Sequence, residues 1–151
     1  MTYAAEADLH EYVTLMSGGQ GFGIEIRQII EIRRWSAITA LPHAPFGVLG
    51  VINLRGAVVP IVDLAARLGL GATPDTGRSV FVITRIDQRT VGLLVDSVSE
   101  IITVRQDQFR DVPAAAGLEG GHCVQALIEA DVDIIRVVDL SAVLPALDQA
   151  A

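Results

Sequence analysis

The segment FGIEIRQIIEI (22–32) recurs without a gap as VGLLVDSVSEI (91–101), and PIVDLAARL (60–68) recurs in the same order as RVVDLSAVL (136–144). In the first pair apolar residues coincide at the first, third, fifth, eighth and eleventh places, and a Gly, a Glu and an Ile are identical. Two echoes in one order mark a duplicated unit of about 70 residues. A unit that small buries too little surface to be comfortable alone, so the halves are expected to share an apolar interface.

Apolar stretches of 5–9 residues rich in Val and Ile alternate with GGQG, RG, DQR and DVD, a pattern of strands joined by tight turns. Short helices are expected at LAARLGL (64–70) after Asp63 and SAVLPAL (141–147) after Asp139, where a carboxylate can cap the free N–H groups of the first turn. Closing each sheet removes the edges that invite aggregation. The expected fold is therefore mostly β, with two small barrels and short helices.

Charge and composition exclude several functions. The net charge is −7, the wrong sign for phosphate backbones or an anionic membrane surface. Every basic residue is Arg, so neither a P-loop lysine nor Schiff-base chemistry is available. One cysteine, Cys123, cannot form an internal disulfide. No positively charged leader and no apolar run of membrane-spanning length is present, so a cytoplasmic protein is expected.

Catalytic motifs are weak. Asp75-Thr76-Gly77 has the form of an aspartic-protease triplet, but a lone copy would need a homodimer, and its Pro/Gly-rich surroundings suit a surface turn. The pair His122 and Cys123 lacks further ligands at workable spacing, and Cys123 suits a small buried hydrophobe. GGQGFG (18–23) has the wrong spacing for a dinucleotide loop and reads as a hairpin turn. Asp63, Asp96 and Asp139 end apolar strands, and capping or a strand-end turn explains Asp63 and Asp139. Trp35 is either a lid on the core or an exposed anchor. No enzyme, cofactor or metal site is expected.

In VINLRGAVVPIVDL (51–64) a charge sits at a hairpin tip beside Ile52 and Leu54, which suits a solvated turn or a docking hot spot. EIRQIIEIR (25–33), GVINLRGAVVPIVDL (50–64), TVGLLVDSVSEI (90–101) and IIRVVDLSAVL (134–144) together resemble the successive blocks of the CheW-like family of bacterial chemotaxis coupling proteins, from about residue 10 to 147. The resemblance implies two SH3-like five-stranded β-barrel subdomains on a shared hydrophobic core. After a flexible tail (1–8), a single domain would span 9–147. Its first subdomain would cover about 15–75 plus the C-terminal helix, and its second about 78–140.

The resemblance also implies a non-catalytic adaptor that couples chemoreceptors (methyl-accepting chemotaxis proteins) to the histidine kinase CheA, cytoplasmic and recruited to membrane receptor arrays. It would be a monomer in isolation. By position, Ile26, Ile29, Glu31, Gly50, Arg55 and Val98 fall on the receptor-binding groove, and Val80 and Val82 on the kinase contact. Glu31 and Arg55, both at strand ends, are expected to pair and shape that groove. Arg34-Trp35 and the Ala/Gly-rich 114–122 depart from the family pattern. The alternatives are a CheW-like coupler of a non-flagellar chemosensory pathway such as twitching motility and, remotely, a homodimeric protease on Asp75-Thr76-Gly77.

Overall fold

The computed structural model describes residues 9–113, 123–131 and 133–144. The expected tail (1–8), His122, the 114–122 segment and the last residues of the second expected helix (145–147) lie outside the described residues. The fold is mostly β, with two SH3-like sheets and short helices. One sheet runs in the order β8-β1-β2-β11-β10-β9, the other β3-β6-β7-β5-β4. Along the chain the strands are β1 (Leu9–Ser17), β2 (Gln20–Glu25), β3 (Ile29–Arg34), β4 (Val48–Leu54), β5 (Ala57–Asp63) and β6 (Val80–Ile86). They continue as β7 (Arg89–Val95), β8 (Ser97–Arg105), β9 (Phe109–Arg110), β10 (Val124–Glu129) and β11 (Ile134–Val138). The helices are α1 (Leu64–Arg67) and α2 (Leu140–Val143).

Local chemistry explains the connections. The turns at Gly18-Gly19, Arg55-Gly56 and Asp87-Gln88 each place two successive residues at positive φ, the hairpin geometry whose twist matches that of the flanking strands. Asp63 caps α1 by accepting from the Ala66 N–H, and Asp139 caps α2 by accepting from the Ser141 N–H. Within the described residues each helix is a single turn, and α1 is shorter than the spacing suggested.

The duplication is real in three dimensions, and its halves are exchanged. The β1–β2 hairpin of the first half inserts between β8 and β11 of the second; the β6–β7 hairpin of the second inserts between β3 and β5 of the first. The parallel pairing Ile61↔Gly92 in one sheet matches Val137↔Gly23 in the other, the same positions of both echoes. Each echo keeps its Gly because a neighbouring strand crowds it. A Cβ on Gly92 would stand 2.6 Å from Ile61 Cδ1, and one on Gly23 would stand 3.1 Å from Ile135 Cγ2.

The division expected near residues 75–78 is therefore not the division between the sheets. Each sheet takes one hairpin from one half and the remaining strands from the other, because each hairpin's apolar faces are buried only in the other half's sheet. The two-residue β9 raises the strand count of one sheet above the expected five.

The core has three parts. Leu15, Phe22, Ile24, Val62, Val82, Leu93, Val138 and Leu140 belong to a central cluster drawn from both sheets. Ile52, Ile61, Phe81, Ile83 and Leu94 fill the β3-to-β4 sheet, and Tyr12, Val104, Ile128 and Val137 fill the other. Adjacent residues such as Phe81 and Val82 point into different clusters, so the central strands are apolar on both faces. At about 25 cal/mol per Å² of apolar surface removed from water, this burial is the main stabilising term.

Candidate functional site

Glu31 lies on β3 and Arg55 in the β4–β5 turn, that is, on the two opposite edges of one sheet. The sheet curls until these edges meet, and Arg55 Nη2 donates to Glu31 Oε1 across the gap. Arg33 Nη1 approaches the other carboxylate oxygen at 3.6 Å. The Arg55 hydrogen bond, aided by both guanidinium charges, holds the Glu31 carboxyl below its ordinary pKa. Arg55 itself adopts φ 50° in the left-handed region, which bulky residues avoid at a cost of roughly 1–2 kcal/mol. Asn53 Oδ1 secures the turn by accepting from the Gly56 N–H at 2.8 Å.

Ile29 opens β3 and Val98 lies at the start of β8, equivalent places in the repeat, and both pack half-buried against the shared central core. Ile26 is half-buried in the one-turn 3-10 helix between β2 and β3. These apolar residues thus mark the seam where the two sheets join, with the Glu31–Arg55 pair farther out on one of them.

Two expected contact residues occupy other positions. Gly50 is buried, with φ 148°, and a Cβ there would stand 2.1 Å from the Thr39 carbonyl oxygen. It lets the Thr39–Ala40 backbone lie against β4, where Thr39 and Val51 exchange backbone hydrogen bonds of 2.9 Å. Gly50 thus acts beneath the surface and not as a groove lining. Val82 is fully buried in the central core, facing the opposite sheet, and has no surface to offer a partner. Val80, at the start of β6, is half-buried.

Exposure identifies residues that the motifs passed over. Phe46 and Val58 are each 72% exposed, and Ile30, Ile32, Trp35 and Leu41 are also open to solvent. Alternation carried the signal for Val58, since Val59 and Ile61 face the interior, and for Ile30 and Ile32 on β3. Phe46 sits in the β3–β4 connection, where no periodicity applies. Trp35 is an exposed residue, not a lid.

Asp75 is exposed in the irregular loop between α1 and β6, where Thr76 Oγ1 accepts from the Arg78 N–H at 3.2 Å, a surface turn. Among the described residues no three His, Cys, Asp or Glu side chains are grouped as metal ligands, and no helix is long and apolar enough to cross a membrane. Cys123 is buried, and desolvation pushes its thiol pKa up. Two interlocked sheets, a charged clasp on one and scattered exposed apolar side chains define a binding module.

Comparison with known proteins gives the module its family: residues 11–148 match the model of the CheW-like domain, and the chain belongs to that family. It is similar to the protein named "Chemotaxis protein CheW" of Rhizobium meliloti, 40% identical over 141 residues that cover 93% of this chain and 91% of that one. The crystal structure of the scaffolding protein TtCheW from Thermoanaerobacter tengcongensis superposes with a TM-score of 0.83 at 26% identity, covering 91% of this chain and 88% of that one. A shorter match, 35% over 82 residues, is to the protein PilI of Pseudomonas aeruginosa and covers 54% of this chain and 46% of PilI.

Proposed function

We propose that this chain is a non-catalytic coupler that joins the cytoplasmic tips of methyl-accepting chemoreceptors to the regulatory domain of a CheA-type histidine kinase. The observation that carries this reading is the clasp. A bulky cation is held in a costly backbone conformation at a hairpin tip, and such outliers persist where a function uses them. The receptor tip packs on the seam through Ile26, Ile29 and Val98, and the Glu31–Arg55 pair sets its register. Such an arrangement of apolar anchors beside charges gives orientation and on-rate more than raw affinity. Gly50 supports the groove from beneath. Val80 remains the kinase-contact residue, with Val82 acting only through the core.

The protein works without cofactor or nucleic acid. It is cytoplasmic and monomeric when isolated, and it is drawn into membrane-associated arrays by its partners. The similarity to PilI favours a second reading, the same coupling role in a non-flagellar chemosensory pathway such as twitching motility.

Titration calorimetry against the kinase regulatory domain and against a receptor cytoplasmic fragment tests the proposal. Micromolar kinase binding, with receptor binding lost in a folded Arg55→Ala variant, is the expected result. Absence of binding to both partners would overturn it.

A further inference from the structure

Glu31 and Arg33 are two residues apart on β3, so their side chains fall on one face of the strand, opposite Ile83 and Phe81 of β6. Ile83 and Phe81 belong to the core of the five-stranded sheet, of which β3 is an edge strand. The clasp thus lies at the rim of an apolar core, and it gathers two guanidiniums around one carboxylate. From Ile29 to Val62 the chain carries three arginines, Arg33, Arg34 and Arg55, and a single acid, Glu31, although the whole molecule has a net charge of −7.

The two arginines are not held alike. Arg55 Nη2 donates to Glu31 Oε1. Arg33 Nη1 stands 3.6 Å from Oε2, beyond hydrogen-bond length, and the Arg33 Nε–H is buried with no partner among the described residues. With Nη1 turned toward Glu31, the other edge of the guanidinium, made by Nε–H and an Nη2 hydrogen, is left over. That edge is one with which an arginine grips a carboxylate through two parallel hydrogen bonds. A buried donor without a partner is rare in a native fold and calls for a reason.

We propose that this edge of Arg33 receives the carboxylate of an aspartate or glutamate side chain on a docked partner protein. The Glu31–Arg55 pair is the fixed frame, and Arg33 is the loosely held cation beside it. Because Nε is covered, the incoming carboxylate draws the guanidinium outward. The Arg33 side chain is 35% exposed, and its apolar stem can stay against the sheet as the head moves. The acid comes from a protein and not from a free anion. Ile30 and Ile32, on the same strand as Glu31 and Arg33, are exposed and offer apolar contact to residues that flank it. A local excess of arginine in an acidic molecule steers such a partner to this edge. This deepens the docking role proposed for the clasp and rests on it, whichever partner supplies the acid.

The test is an NMR titration of the full-length ¹⁵N-labelled protein, read at the arginine Nε–Hε signals. The probes are acetyl-Gly-Leu-Glu-Leu-Gly-amide, its glutamine analogue and sodium acetate, all at equal ionic strength. The expected result is a saturable shift of the Arg33 Nε–Hε signal with the glutamate peptide, and at least about threefold weaker binding of both the glutamine peptide and acetate. Arg33→Met removes the unmet donor and keeps the stem, so it should melt no lower than the parent while losing the preference for glutamate. Arg33→Lys keeps the charge without the fork and should weaken the glutamate peptide at least about threefold. Equal binding of the two peptides, no saturable shift at Arg33, or a preference that survives in Arg33→Met would overturn the proposal. Acetate binding as well as the peptide would also overturn it, in favour of a free-anion site. Should Arg33→Met fail to fold, unchanged binding by Arg33→Lys overturns it alone. The peptides need neither receptor nor kinase, so their failure would leave the calorimetric test of coupling untouched.

Discussion

At the scale of single residues, Arg55 separates folding from recognition. Its left-handed backbone is a local cost, and its ion pair with Glu31 is exposed to solvent screening. Arg55→Ala keeps the strained Cβ and loses the pair, whereas Arg55→Gly loses both. The glycine variant should therefore melt higher than the alanine variant, while calorimetry finds receptor binding lost in both. The pH dependence has a definite sign. Because the folded Glu31 carboxyl lies below its ordinary value of 4.5, the pair's contribution is fully present above that pH. It is lost as pH falls through the depressed folded value. Melting curves of the parent and Glu31→Gln should thus converge on acidification below pH 4.5. Cys123, buried and with a raised thiol pKa, should resist iodoacetamide in the native protein and react only on unfolding.

At the scale of elements, the two Val-Asp-Leu strand ends look alike in sequence but carry different loads. Asp139 accepts from the Ser141 N–H at 3.1 Å, its one side-chain hydrogen bond among the described residues. Asp63 is buried and accepts from the Ala66 N–H, the Thr73 N–H at 2.8 Å and the Thr73 hydroxyl at 2.5 Å, so it anchors the loop that leads to β6. Asp63→Ala should cost about 2–3 kcal/mol in urea unfolding, against about 1 kcal/mol for Asp139→Ala. The caps were legible because an Asp before apolar spacing has a local meaning. The attachment to Thr73 was not, since it depends on where a loop returns in space. The clasp shows the same division. Its two ends were legible as charges of opposite sign, although Glu31 lies within β3 and not at a strand end, and Gly50 and Val82 were misplaced. A motif records that a position is constrained; it does not record which face it occupies.

At the scale of the whole molecule, the exchange of hairpins makes the halves interdependent. Fragments 1–77 and 78–151 should each be unfolded by circular dichroism, and mixing them should restore the β signal. Each isolated half would leave a hairpin without the sheet that buries it. Independent folding of either fragment would contradict the interlocked arrangement.

The β-rich class, the duplication, the turns and the caps were readable from residue order, because alternation, φ preference and capping act within a few residues; the Glu31–Arg55 pair, 24 residues apart, was legible only through the family resemblance. Which sheet each hairpin joins was decided only in three dimensions. The echoes report that two units are alike and are silent on whether a hairpin completes its own unit or the other. That choice is set by apolar faces such as those of Phe81 and Val82, which must be buried on both sides of one strand at once.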